Sequence, residues 1–187
     1  MRWARSFDRA ARGPAAVLAL ALLAACAGVP RNAVPNGVES LSGRLAVRVD
    51  GAEGAAPRSV NAAFELRGDP QAGQLDLATP LGNVLARARW SPGTVVLATP
   101  QGERNFADLD ALTREVLGES LPIAAMFDWL RGRPWPGAES RATVAPADRG
   151  FEQLGWTVNL AGFDDHRVDA RRGGPPAVTV RARLDRP

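Results

Sequence analysis

Six segments of this chain place apolar side chains at every second position, and this pattern restricts the fold more than any other. The alternating segments are residues 45–50, 60–67, 74–77, 84–90, 156–160 and 178–184. A period of two with one apolar face is typical of strands in a half-buried antiparallel sheet. Clusters rich in glycine and proline separate the segments, at 51–57, 68–70, 91–93 and 100–102. Such short connections predict up-and-down hairpins in a curved sheet.

Two short helices are predicted between the fourth and fifth of these segments. The first begins after Asp108, a good N-cap, and ends at Gly118; the second begins after Pro122 and ends before Gly132. Their apolar stripes are Leu109, Leu112, Val116 and Leu117 in the first, and Ile123, Met126, Phe127 and Leu130 in the second. Helices of this length are marginal alone in water, so both must pack on the apolar face of the sheet.

The amino-terminal region has the pattern of a bacterial export signal. Four Arg and one Asp lie in residues 1–12. The uncharged, apolar segment 13–25 that follows is shorter than the roughly 20 residues needed to span a membrane. A transmembrane anchor is the alternative. Leu23-Ala24-Ala25-Cys26 resembles a lipobox, in which the cysteine sulfur keeps a lipid as a thioether. We predict a signal peptide at 1–25, a lipidated Cys26 with a tether at 26–38, and one folded domain at 39–187.

The charge of the mature chain is balanced, which limits the classes of partner. All 23 basic residues are Arg, and removal of residues 1–25 leaves 19 Arg against 19 acidic residues. This balance is no evidence for nucleic-acid binding, and we predict no nucleic-acid partner. The residue after Cys26 is Ala27; in lipoproteins generally, Asp at that position favours retention in the inner membrane. Ala27 therefore favours the outer membrane, to whose periplasmic face the acyl chains would anchor the protein.

Catalytic and metal-binding motifs are absent from the sequence. It contains one Cys and one His, which excludes a disulfide framework and a multi-cysteine zinc site. Asp164-Asp165-His166 could form a metal or acid–base site, but a solvated loop explains it better. Trp129, Trp135 and Trp156 could line a ligand pocket, although packing is the commoner role of such rings. We predict no enzymatic activity, no cofactor and no metal.

The connection Thr79-Pro80-Leu81-Gly82 joins two predicted strands. Pro80 and Gly82 stiffen and turn the chain, and they place Leu81 at the tip of the loop. Leu81 could fold back on the rim of the sheet, or it could be an exposed apolar probe. Burial of an exposed Leu in a partner or in lipid would contribute about 1.5–3 kcal/mol.

Several short motifs, taken in order, resemble the LolB family of outer-membrane lipoprotein receptors. They are Cys26 in its lipobox, Gly43-Arg44-Leu45-Ala46, the strand around Phe64, Gly73 to Leu77, Thr79-Pro80-Leu81-Gly82, Gly102, Leu117-Gly118, Leu121-Pro122, Trp129-Leu130-Arg131-Gly132-Arg133-Pro134 and Trp156. No single piece is specific, but their order and spacing together are. The resemblance extends from the lipobox to about residue 160.

The resemblance implies an open, incomplete antiparallel β-barrel with a helical lid over an apolar cavity, the fold that LolB shares with the periplasmic carrier LolA. It implies a monomeric receptor that accepts acylated lipoproteins from LolA and inserts them into the outer membrane. The loop Pro80-Leu81-Gly82 would be needed for that insertion. The candidate cavity residues are Leu45, Val47, Phe64, Leu66, Leu75, Leu77, Val84 and Trp90 in the wall, and Ile123, Met126, Phe127 and Leu130 in the lid.

Two other functions are compatible with the same pattern of residues. A lipoprotein of this fold could bind a different apolar ligand in its cavity. Alternatively, it could be a structural envelope lipoprotein whose interior is completely filled by side chains. The size of the cavity and its ability to bind an apolar probe distinguish these hypotheses.

Overall fold

The computed structural model describes residues 40–51, 56–145 and 149–186. They lie within one compact unit, Gly37–Pro187. The predicted signal peptide, Cys26 and the tether lie outside the described residues. Neither helix in the described part has the length and apolarity needed to cross a membrane.

Eleven strands and two helices make up the described part. The strands are β1 (Ser40–Val49), β2 (Arg58–Gly68), β3 (Gly73–Ala78), β4 (Val84–Ser91), β5 (Thr94–Thr99), β6 (Gly102–Phe106), β7 (Ser140–Ala142), β8 (Gly150–Gln153), β9 (Trp156–Asn159), β10 (Arg167–Arg172) and β11 (Val178–Leu184). The helices, α1 (Leu109–Leu117) and α2 (Ile123–Trp129), both lie between β6 and β7. A single 3-10 turn, Phe163–Asp165, precedes β10.

All eleven strands form one antiparallel sheet in the order β6-β5-β4-β3-β2-β1-β11-β10-β9-β8-β7. The chain starts at β1 in the middle, steps outward to the edge at β6, and passes through both helices. It then enters the opposite edge at β7 and steps back until β11 pairs with β1. Because β6 and β7 do not pair, the sheet stays open. The predicted fold class, an open antiparallel barrel with two helices, is confirmed.

Strand pairing keeps the apolar positions on one face of the sheet. Leu45 of β1 pairs with Ala62 of β2 and Ala182 of β11, and Val47 pairs with Val60 and Val180 in the same way. These residues alternate with exposed polar ones, so the inner face carries the core and the outer face meets solvent.

Gly43 of β1 pairs with Leu184 of β11, where the two backbones leave no room for a side chain. A Cβ atom built on it would lie 2.1 Å from the carbonyl oxygen of Arg183. Real side chains never come so near to a backbone atom, so the pairing of these two central strands requires glycine at this position.

Capping interactions define both ends of α1 as predicted. The Asp108 carboxylate accepts a hydrogen bond from the Ala111 N–H at 2.7 Å. Gly118 adopts a left-handed conformation (φ 86°), and its N–H donates to the Arg114 carbonyl at 2.8 Å. The hydroxyl of buried Thr113 accepts a hydrogen bond from the Leu121 N–H at 3.0 Å. This bond fixes the corner between α1 and α2.

Candidate functional site

An apolar cavity of about 550 Å³ lies between the inner face of β1–β5 and the two helices. Ligand-binding pockets for small molecules usually have volumes of about 300–1,000 Å³. Nine of the twelve candidate residues line this cavity: Leu45, Val47, Phe64, Leu66, Leu75, Leu77, Ile123, Met126 and Leu130. The lining is therefore built jointly by the sheet and by the helix that covers it.

Val84 does not line the cavity, contrary to the alternation read from the sequence. Its neighbour Leu85 lines it instead, while Val84 is half exposed. The reason is a β-bulge: Leu77 pairs with Ala86 and the next residue, Ala78, pairs with Val84. Since Leu85 is the extra residue in the ladder, the regular alternation of β4 breaks there.

Trp90 and Phe127 are buried but also lie outside the cavity lining. Their rings meet edge to face, with centroids 6.0 Å apart. The Trp90 Nε1–H donates to the Asp69 carbonyl oxygen at 3.0 Å, and the indole lies where a side chain on Gly73 would have to go. These two aromatic residues therefore fill space and hold α2 against β4.

The mouth of the cavity combines half-exposed apolar residues with a polar rim. Leu85 and Val116 both line the cavity although they are 40% and 44% exposed. Polar residues of the lining near the β5–β6 turn are Thr99, Gln101 and Arg104. The Arg104 guanidinium donates to Glu115 at 2.9 Å and lies over the Phe106 ring. An apolar chain could thus enter the cavity while its polar end stays at the rim.

A buried glutamine organises the opposite part of the interior, under β8 and β9. The Gln153 Oε1 accepts hydrogen bonds from Trp129 Nε1–H at 2.8 Å and from the Trp135 N–H at 2.9 Å. Its Nε2 donates to the carbonyls of Trp135 and Ala138. The Trp129 ring also packs against Trp156, with centroids 5.9 Å apart. The three tryptophans considered as pocket residues do not line the cavity.

Leu81 is the most exposed large apolar side chain of the described residues, at 90%. The turn that carries it is closed by a hydrogen bond from the Gly82 N–H to the Thr79 carbonyl at 2.9 Å. The Thr79 N–H in turn donates to the Asn83 carbonyl at 2.8 Å. Gly82 has a φ of 87°, which favours glycine. Leu81 is therefore held out into solvent and is not folded back on the rim.

The sequence profile described as "Outer membrane lipoprotein LolB" matches residues 40–184, which include all of the sheet and both helices. The chain belongs to the LolB family. The resemblance noted in the sequence is confirmed, and so is the assignment to the outer membrane that goes with the family.

Related proteins from several bacteria carry the name "Outer-membrane lipoprotein LolB". The protein of Bordetella petrii is 36% identical over 160 residues, covering 82% of this chain and 80% of its own. That of Chromobacterium violaceum is 36% identical over 172 residues, covering 84% and 91%. That of Ralstonia nicotianae is 34% identical over 192 residues, covering 97% and 90%. The similarity to LolB proteins thus extends over nearly the whole chain.

Some lining residues of this LolB-family cavity were not named as candidates. They include Val60, Leu85, Ala86, Ala88, Leu97, Leu112, Val116, Leu117 and Leu121. Leu112, Val116 and Leu117 belong to the predicted stripe of the first helix, so that stripe could have identified them. Leu97 lies in a continuous apolar run without alternation, and Leu85 is displaced by the bulge.

The Asp164-Asp165-His166 segment lies in a surface turn of this LolB-family chain. Asp164 and Asp165 are exposed in the 3-10 turn, and the His166 N–H donates to the Phe163 carbonyl at 2.9 Å. Among the residues that the structure describes, no group of three acidic, cysteine or histidine side chains is arranged to hold a metal.

Proposed function

We propose that this LolB-family protein accepts acylated lipoproteins from the periplasmic carrier LolA and passes their acyl chains into the outer membrane. The observation that carries the proposal is the open apolar cavity between β1–β5 and the helices. The protein would act as a monomer, anchored by lipid on Cys26, and no covalent bond would form or break.

The proposed driving force is a gradient of apolar affinity. Each methylene group of an acyl chain that leaves water contributes about 0.8 kcal/mol. A chain of this kind must therefore move between apolar surroundings without crossing water. The mouth at Leu85 and Val116 supports such an exchange, because apolar surface continues from the cavity to the exterior.

The helix α2, which covers the cavity, has side chains suited to a cavity that binds and releases acyl chains. Met126 lines the cavity with a flexible, unbranched side chain that adapts to ligands of different shape. Ile123 and Leu130 extend the same face of the chain along and just beyond α2. The hypothesis of a purely structural lipoprotein with a filled interior is disfavoured by this cavity.

Leu81 would act at the delivery step. It lies at the tip of a defined turn, is almost fully exposed, and precedes half-exposed Val84. Insertion of such a side chain into the membrane would be favourable by about 1.5–3 kcal/mol. We propose that the loop Pro80-Leu81-Gly82 brings the protein to the membrane when the cargo leaves.

A transfer assay tests the proposal. The chain from residue 26 onward, with Cys26→Ala to remove the anchor, is mixed with LolA loaded with an acylated lipoprotein, and the two proteins are separated. We expect the cargo on the LolB-family protein. Cargo that stays on LolA, while the protein is folded and binds an apolar fluorescent probe, would contradict the proposal and favour a receptor for another apolar ligand.

A further inference from the structure

A groove lined by arginines crosses the outer face of the sheet, on the side opposite the apolar cavity. It has a volume of about 570 Å³ and spans β2, β1, β11 and β10. Its charged lining residues are Arg44, Arg167, Arg181, Arg183 and Asp169. Its floor contains Ala46 and Ala63, which leave room between the long arginine side chains. Four cations against one anion make it a strongly basic surface on a mature chain of balanced charge.

The strand register aligns three of these arginines in one row. Arg44 of β1 pairs with Arg183 of β11, and Arg183 pairs with Arg167 of β10. Because neighbouring strands lie about 4.8 Å apart, the three backbone positions fall within roughly 10 Å. Like charges directly opposite each other in a sheet are destabilising. An anion that binds across the row would relieve this repulsion.

The acidic groups near the groove neutralise it only in part. Arg181 lies 3.6 Å from Asp169, and Arg167 lies 3.3 Å from Asp165, both at exposed positions. Among the described residues, Arg44 and Arg183 have no ion-pair partner. A guanidinium that is free of carboxylates can present two parallel N–H groups to a phosphate.

The same row leads to the Leu81 loop. Arg44 pairs on its other side with Ala63 of β2, and Ala63 pairs with Ala78, the last residue of β3 before the loop. Pro80 of the loop is itself part of the groove lining. The exposed apolar tip and the arginine groove are thus neighbours. Basic and apolar side chains on one surface are the combination by which proteins bind the surface of an anionic membrane.

We propose that the arginine groove binds the phosphate-bearing headgroups of anionic lipids and orients the Leu81 loop toward the membrane. This extends the proposed function, and it rests on that function for the role of Leu81. A membrane explains the position of the groove better than an acidic protein partner does, because a membrane contacts the cations and the apolar tip together.

The test measures the binding of the unacylated chain (residues 26–187, Cys26→Ala) to vesicles. One set contains phosphatidylethanolamine and phosphatidylglycerol at 3:1, and the other contains phosphatidylcholine alone. The test variant is Arg44→Gln/Arg183→Gln. The matched control is Arg114→Gln/Arg141→Gln, which removes the same charge from exposed sites outside the groove. We expect the test variant to lose about tenfold or more in affinity for anionic vesicles, and the control to lose little.

Three outcomes would overturn the inference. The first is equal binding to both vesicle compositions, and the second is an equal loss of vesicle affinity in the two double variants. The third is that inorganic phosphate binding requires Arg44 and Arg183 whereas vesicle binding does not. Thermal unfolding of each variant verifies that it is folded. Cargo transfer from LolA in solution, without vesicles, does not involve the groove. A failure of that transfer would contradict the proposed function, whereas its success with composition-independent vesicle binding would contradict only the headgroup site.

Discussion

Gln153 and Leu81 depart from the usual placement of polar and apolar side chains, and each departure has a physical reason. Gln153 is buried, and its side-chain amide makes four hydrogen bonds, which join Trp129, Trp135 and Ala138. Leu81 is exposed, and a closed turn keeps it there. Gln153 thus joins parts of the interior, whereas Leu81 takes little part in packing and is proposed to act at the membrane, and substitutions should separate these roles.

Replacement of Gln153 should destabilise the fold. In Gln153→Leu, the Trp129 indole N–H and the Trp135 backbone N–H lose their acceptor. Each unsatisfied buried group costs about 1–3 kcal/mol, so we expect the free energy of unfolding to fall by about 3 kcal/mol. Urea denaturation measures it. Gln71→Leu, at an exposed position, is the control and should change it by less than about 0.5 kcal/mol. An equally small effect of Gln153→Leu would show that the network is dispensable.

Leu81→Glu should block delivery without affecting the fold. The side chain contacts little of the protein, so we expect thermal stability and cargo acceptance from LolA to be unchanged. Delivery of cargo to vesicles should fall by about tenfold or more, since the apolar contact with lipid is lost. Val144→Glu, at another exposed apolar position (76%), is the matched control. Loss of the thermal transition in Leu81→Glu would mean that Leu81 belongs to the core.

Among the elements, β4 shows how a strand leaves space inside the sheet. Its inner face carries Ala86 and Ala88, which are small, and then Trp90, which is large. The alanines line the cavity, whereas the indole packs against Phe127. The space next to the inner face of β4 is therefore an open cavity at Ala86 and Ala88 but is filled by an aromatic ring at Trp90. The helix α2 covers both parts, with Met126 over the cavity and Phe127 on the tryptophan.

A larger side chain on the inner face of β4 should occupy the cavity. We expect Ala86→Phe to weaken the binding of an apolar fluorescent probe by roughly tenfold, equivalent to about 1.4 kcal/mol. Cargo acceptance from LolA should fall in parallel. Ala98→Phe on neighbouring β5 is the matched control, because Ala98 is not part of the lining. Equal probe binding by the two variants would show that the probe binds elsewhere.

At the scale of the whole molecule, one continuous sheet surrounds two unlike interiors. The side formed by β1–β5 and the helices holds the cavity, whereas the side under β8 and β9 is filled by aromatic rings and Gln153. In the sequence, both helices lie between the two edge strands β6 and β7. Both interiors nevertheless belong to one cluster of buried side chains.

This continuity predicts a single cooperative unfolding transition. Far-UV circular dichroism reports the whole sheet, and tryptophan fluorescence reports Trp90 beside the cavity together with Trp129, Trp135 and Trp156 on the filled side. We expect the two signals to give the same midpoint in urea, because neither interior can open without breaking the shared core. Two separate midpoints would show that unfolding is not a single cooperative step.

Local patterns predicted six strands, both helices and the family, but five further strands escaped them. β5 is an apolar run without alternation, β6 and β7 are polar and exposed, and β8 and β10 carry only one and two apolar side chains. Strands of these kinds are stabilised by their neighbours in the sheet more than by their own sequence, so single-sequence periodicity cannot identify them.

By itself, the sequence determined what neighbouring residues decide: the alternation of six strands, the caps at Asp108 and Gly118, and the turn at Thr79-Pro80-Leu81-Gly82. That Leu81 projects into solvent from this turn was decided by the structure. Only the tertiary structure decided which inward-facing residues border empty space, because that depends on residues far apart in the chain. Val84 does not line the cavity because of the bulge between β3 and β4, and Trp90 does not line it because it packs on Phe127. The arginine groove arose in the same way, since strand pairing alone brings Arg44, Arg167 and Arg183 into one row.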